Sequence, residues 1–163
     1  MDTASRLMNG LLVAAVLQVL YYYPQLPATV ASHFDAAGLP NGWSSKAAFF
    51  GLYAFMVALQ LLIFRVLPPR LGRLPSRLIS LPNRDFWMAP ERREDTLAYF
   101  TRSMAWFGFA SILVGVITIQ LVIEANLAQA PLNSAGMWVL LAAFLLFIIV
   151  WLARLLLRFG RIR

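Results

Sequence analysis

Four apolar runs separated by polar stretches organise this chain. The first, from Leu7 to Tyr23, is interrupted only by Asn9 and Gln18. The second, from Ala47 to about Leu67, holds Gln60 and Arg65. The third, from Met104 to Ile123, is softened by Ser111, Thr118 and Gln120, and the fourth is wholly apolar from Ala135 to Ala153. A helix needs about 20 apolar residues to cross the hydrocarbon core, and a lone segment in lipid satisfies its backbone groups only as a helix. The pattern predicts an all-α, polytopic membrane protein, a four-transmembrane-helix bundle. It forms a single membrane domain over residues 1–163, with helices at about 7–23, 46–67, 96–123 and 135–157. An outer loop, 24–45, and a cytoplasmic loop, 68–95, join the helices.

The first run, with Arg6 just before its apolar stretch, has the make-up of a signal peptide. It ends in Tyr21-Tyr22-Tyr23-Pro24 with no small-residue cleavage site. Such an aromatic cluster belongs at a membrane interface, so a retained helix is expected.

Charge supplies the orientation. Of 14 Lys and Arg residues, Lys46 alone lies by the first outer loop, and the Asn126–Ser134 loop has none. The others are Arg6, a series from Arg65 to Arg102, and Arg154, Arg158, Arg161 and Arg163. By the positive-inside rule both termini and the 68–95 loop are cytoplasmic. Pro68-Pro69, Pro75 and Pro82 forbid a continuous helix across residues 68–82. Acids in Glu91-Arg92-Arg93-Glu94-Asp95 suit a helix start after Pro90, so the third helix begins in the cytoplasm and runs into the membrane.

Composition agrees. The chain is 61% hydrophobic, with mean hydropathy +0.72, against about 45–50% apolar in soluble domains. A lipid bilayer is therefore the first partner. There is no cysteine, hence no disulfide, thiol nucleophile or thiolate metal site. The net charge of +7 would suit nucleic acid, but the charges sit where topology signals sit, and no nucleic-acid-binding motif is present. No nucleic-acid partner is expected.

The outer loop carries the candidate chemistry. His33 and Asp35, two apart, would point the same way on an extended segment. With Glu124 in the same compartment they could make a general base, a proton sensor or a metal site. The plainer reading has His33 and Asp35 tying down the loop, with Gly38 and Asn41-Gly42 making turns, Phe34 and Trp43 anchoring at the interface, and Ser44-Ser45 capping the second helix. On the cytoplasmic side, Phe86, Trp87 and Met88 should bury in the headgroup boundary, with Arg84, Arg92 and Arg93 near lipid phosphates. The buried amides should hydrogen-bond between helices, and small residues (Gly108, Ala110, Gly115, Ala142-Ala143) could pack against partner helices. No catalytic motif appears, so no catalytic residue, metal ligand or cofactor is expected.

Leu26-Pro27, His33-Phe34, Gly38, Pro40, Gly42-Trp43 and Lys46 resemble the signature of the bacterial DUF1648 domain, the N-terminal part of SdpI-type immunity proteins. Leu81-Pro82-Asn83, Phe86-Trp87 and Pro90-Glu91-Arg92-Arg93 are similar to a cytoplasmic stretch that often accompanies it, extending the resemblance over residues 10–125 or so. The resemblance implies a multi-pass protein of the bacterial cytoplasmic (inner) membrane. It also implies roles in immunity to a secreted toxic peptide and in signalling by holding a repressor at the membrane. It brings no catalytic residues. The expected function is non-enzymatic: sensing, or protecting against, an envelope-active agent. His33, Phe34, Asp35, Gly38, Pro40, Trp43 and Lys46 would recognise a ligand or partner outside, and Pro82, Asn83, Trp87, Arg92 and Arg93 would form the cytoplasmic face. Partners would be a peptide, another membrane protein or a second copy in a homodimer. The alternatives are an accessory subunit of a larger membrane complex, or a small membrane enzyme or metal-binding protein using His33, Asp35 and Glu124.

Overall fold

A computed structural model describes residues 3–160 and places four helices long and apolar enough to cross a membrane. The charges at Arg161 and Arg163 lie outside the described residues. Helix α1 spans Thr3–Tyr22 and is followed by a two-stranded antiparallel sheet, β1 (Thr29–Phe34) and β2 (Pro40–Ser45). Helix α2 (Lys46–Leu61) continues through a π-helical stretch, Leu62–Val66, into 3₁₀ turns at Pro68–Arg73 and Ser76–Leu78. A single-turn helix α3 (Arg84–Trp87) precedes the long α4 (Pro90–Ala128) and then α5 (Ser134–Phe159). The chain is thus a multi-pass membrane protein.

The sequence anticipates the four helices, but two elements depart from it. The outer loop is not an irregular loop: much of it is a β-hairpin. The third spanning helix starts at Pro90, where the acids after it suit a helix start, and ends at Ala128, beyond the expected end near 123. Pro90 occupies the first helical position and Glu91 the first turn, both favourable at a helix start. Thirty-nine residues make a rod about 58 Å long, nearly twice the hydrocarbon thickness of about 30 Å. Helix α4 therefore projects from the bilayer and carries contacts at both ends of the bundle.

Polar side chains hold the spans together. Tyr53 on α2 donates to the Gln18 Oε1 on α1 at 3.0 Å, and Gln18 Nε2 donates to Gln120 Oε1 on α4 at 2.9 Å and to the Val116 carbonyl at 3.2 Å. Gln120 Nε2 in turn reaches the Tyr22 hydroxyl at 3.0 Å and Glu124 Oε1 at 2.8 Å. Lower in the bundle, Gln60 donates to Ser111 Oγ at 2.8 Å. Arg65 turns onto α1 and donates to Asn9 Oδ1 and the Ser5 carbonyl. Between lipid-facing helices there is little hydrophobic drive to associate, so such bonds and close packing decide which faces meet.

Gly108 shows the close packing. Its small size suits contact with a foreign helix, but it faces Phe64 and Met8 of its own bundle, and a Cβ built on it would lie 2.5 Å from the Phe64 Cβ. Ala142 and Ala143, by contrast, are exposed on α5, which touches the bundle mainly through Phe107 against Phe144, Phe147 and Trp151. A Gly108→Ala variant should therefore lose about 1–3 kcal/mol through overpacking. Gly51→Ala, where nothing lies within 4 Å of the added carbon, should be neutral or gain up to about 1 kcal/mol. Thermal unfolding of both in the same detergent checks the contrast; equal melting temperatures would mean the α2–α4 contact is looser than described.

Candidate functional site

The hairpin caps one end of the bundle, and its shape reflects local chemistry. Asp35 closes the turn: its Oδ1 accepts from the Ala37 and Leu39 amides at 2.9 and 2.8 Å, while the Gly38 amide donates to the Asp35 carbonyl at 3.0 Å. Gly38 has φ +86°, and its α-carbon faces the Leu132 carbonyl so closely that no side chain fits. The pairing slips between Ala31 and Phe34, leaving His33 opposite Gly42. A Cβ on Gly42 would come within 3.1 Å of the His33 Cβ, so the glycine lets the histidine pack across the pair.

Three long-range contacts fix the hairpin. Asn126 on α4 accepts from the Ala31 amide at 2.7 Å and donates to the Ala31 carbonyl at 2.9 Å, standing in for one residue of a neighbouring strand. The Leu132 amide donates to the Gly38 carbonyl at 2.8 Å, joining the turn to the α4–α5 connection. Lys46 donates its ammonium to the Leu26 carbonyl at 2.9 Å and lies 4.8 Å from the centre of the Tyr23 ring. Leu26 and Val30 are buried beneath the hairpin against Phe49, Phe50, Val122 and Ile123.

The residues singled out in the sequence thus divide. Asp35, Gly38 and Lys46 are engaged in building the hairpin. His33, Pro40 and Trp43 are exposed, Trp43 at 62%, and Phe34 is half-buried. The exposed group is split between two grooves. One, about 420 Å³, runs between the hairpin and the end of α4 past Pro27, Leu39, Pro40, Trp43 and Asn126. The other, about 290 Å³, contains His33 and Asp35 facing Thr118, Trp138 and Leu141. Phe34 lines both.

The three acid–base candidates do not form one centre. His33 Nδ1 lies 3.1 Å from Ser32 Oγ, Asp35 serves the turn amides, and Glu124 accepts from Gln120. Among the described residues no group of three His, Asp or Glu side chains could hold a metal, and His33 has no ion-pair partner. Ser32 and His33 are in reach of each other, but no carboxylate orients the imidazole as nucleophilic catalysis requires.

The opposite end is also closed by protein. Met88 is buried, Trp87 packs on the end of α5, and Phe86 meets the Trp87 ring edge-on. The Phe159 carbonyl at the end of α5 accepts from Asn83 Nδ2 at 2.9 Å and Trp87 Nε1 at 3.0 Å, and the Phe159 ring meets Trp87 and Tyr99 edge-on. Asn83 reaches it from a left-handed backbone (φ 52°) just after the exposed Pro82. Arg92 donates to the Phe86 carbonyl, with its guanidinium 3.9 Å from that ring's centre, and Arg93 donates to the Gly72 and Leu74 carbonyls. Arg84 pairs with Asp85 at 3.0 Å. This face is therefore a latch on α5, and Arg92 and Arg93 are already occupied by carbonyls.

Asn126 and Ser32 had no signal in the sequence. An asparagine near a helix end reads as a cap or a loop residue, and its bond to Ala31 spans 95 positions. Leaving a buried backbone group unpaired costs about 1–3 kcal/mol, so Asn126→Leu should speed amide exchange across Val30 and Ala31 by about tenfold or more. Hydrogen–deuterium exchange reads this directly, with α2 as the unchanged reference; a hairpin as protected as in the parent would show that Asn126 is not its mount.

Residues 10–57 match a family model described as a domain of unknown function, DUF1648. The match runs from α1 through the hairpin to Val57 on α2, so the Leu81–Arg93 stretch lies outside it. No curated protein and no solved structure is significantly similar to the chain. The hairpin, with its glycine turn, its His33–Gly42 pair and its lysine clamp, lies wholly within the matched segment, and the chain carries a DUF1648 domain.

Proposed function

We propose that this is a non-enzymatic protein of the bacterial cytoplasmic membrane whose hairpin, on the outer side, senses or neutralises an envelope-active agent. The carrying observation is the combination of a hairpin fixed at three points with exposed aromatic and imidazole groups above two grooves. Recognition residues on loops held by a rigid scaffold are the usual form of a binding site. Trp and Tyr anchors carry much of the energy at such surfaces.

The Lys and Arg distribution supports placing both termini and the 68–95 loop in the cytoplasm. The likeness of the hairpin motif to SdpI-type immunity proteins supports a secreted peptide, or a membrane protein that delivers it, as the agent. Helix α4 offers the route inward: one continuous rod joins Asn126 at the hairpin to Thr96, whose hydroxyl donates to the Trp87 carbonyl in the latch at 2.9 Å.

Cells lacking the gene should become sensitive to one or more envelope-active peptides, and the parent gene should restore resistance. Trp43→Ala and His33→Ala should restore it poorly at equal protein level, with partner affinity down about thirtyfold for the tryptophan if it is an anchor. Cross-linking in native membranes followed by mass spectrometry should recover a partner that both variants lose. Unchanged survival across a broad peptide panel would sink the reading.

A further inference from the structure

Near the arginine-rich end, away from the hairpin, a cleft of about 350 Å³ opens between α4 and α5. Its rim carries Arg102 on α4 and Arg154 on α5, and its walls are Trp106, Phe147, Val150 and Trp151. No carboxylate lines it. We propose that this cleft binds one anionic phospholipid, with Arg102 and Arg154 holding the phosphate headgroup and the apolar wall receiving an acyl chain.

Three observations carry the assignment. The first is unused charge. Arg65, Arg70, Arg92 and Arg93 donate to backbone or side-chain oxygens, Arg84 pairs with Asp85, and Arg158 stacks 3.9 Å from the Tyr99 ring centre. Arg102 and Arg154 have no hydrogen-bond, ion-pair or ring partner among the described residues. Two guanidiniums facing one cleft without a counter-charge suit a doubly acceptor phosphate, which they grip through parallel N–H groups.

The second is depth. Arg154 stands 20 residues beyond Ser134, about 30 Å along the helix, which is the thickness of the hydrocarbon core. The rim thus lies at headgroup level when the start of α5 lies at the other interface. The third is the amphipathic grading of the site. Trp151 Nε1 donates to the Ser103 carbonyl at 3.1 Å and closes α4 against α5 below the rim. Phe147 and Val150 continue the wall toward the bilayer interior, away from the charge. A free phosphate would use the rim alone; a lipid uses rim and wall together.

The test is native mass spectrometry of the detergent-solubilised protein with phosphatidylglycerol and phosphatidylcholine of equal chain length. The parent should retain one phosphatidylglycerol in preference to phosphatidylcholine. The double variant Arg102→Gln/Arg154→Gln should weaken that retention about thirtyfold, at about fivefold per basic group near an anionic headgroup. Arg73→Gln/Arg77→Gln, which removes two exposed arginines outside the cleft, should retain the lipid. Equal retention of phosphatidylcholine, or equal loss in the control pair, overturns the proposal in favour of general surface attraction. Displacement of phosphatidylglycerol by millimolar inorganic phosphate overturns the lipid assignment in favour of the free anion. Should the cleft variant fail to fold, a photoactivatable phosphatidylglycerol on the parent decides the matter: adducts on residues 99–106 and 147–154 support the site, and adducts confined elsewhere refute it.

Discussion

Gln18 is the side chain on which the bundle depends. Its amide hydrogen-bonds to two other spans, accepting from Tyr53 on α2 and donating to Gln120 and the Val116 carbonyl on α4. In a bilayer the apolar surfaces of α1, α2 and α4 are as content against lipid as against each other, so they do not by themselves set a register. A buried amide does, because each unmet donor or acceptor in hydrocarbon is costly. With Gln120 held in this way, Asn126 stands six residues further along α4, about 9 Å nearer the surface, where the hairpin meets it. The polar chain inside the membrane thus fixes the height at which the hairpin sits.

The two ends of the molecule use the same device in different forms. At the hairpin end, a side-chain amide from α4 satisfies the backbone of the buried Ala31 on β1. At the arginine-rich end, Asn83 and Trp87 satisfy the last carbonyl of α5. Both are places where secondary structure stops and leaves backbone groups without partners. The polar loops supply those partners, which explains why short stretches dense in Pro, Asn, Gly and Trp lie where they do.

How much of the structure is legible in the sequence depends on the range of each interaction. The apolar runs are legible because lipid imposes a length on every span, and Gln18, Gln60 and Gln120 can be expected to bond across helices because hydrocarbon offers them nothing else. The glycine turn of the outer loop is legible as a turn. The strands flanking it are not, since Thr29–Phe34 and Pro40–Ser45 hold too few alternating residues to announce a sheet, and their support comes from Asn126 and Leu132 far along the chain. Spacing alone favours a pairing of His33 with Asp35. Asp35 instead has nearer claimants in the amides of its own turn. Lys46 looks free for a ligand because its acceptor, the Leu26 carbonyl, is invisible in side-chain chemistry.

The π-helical stretch at Leu62–Val66 fixes where α2 can tolerate a change of length. It winds one more residue into a turn than an α-helix does, and Arg65 within it points at Asn9. Shortening this stretch by one residue would restore ordinary helical winding and keep its hydrogen bonding. Because the extra residue is taken up within its own turn, everything beyond would keep nearly the same angle around the axis, leaving the Gly72 and Leu74 carbonyls in reach of Arg93. The span therefore absorbs the loss of one residue between 62 and 66, with the change confined to the turn that presents Arg65 to α1.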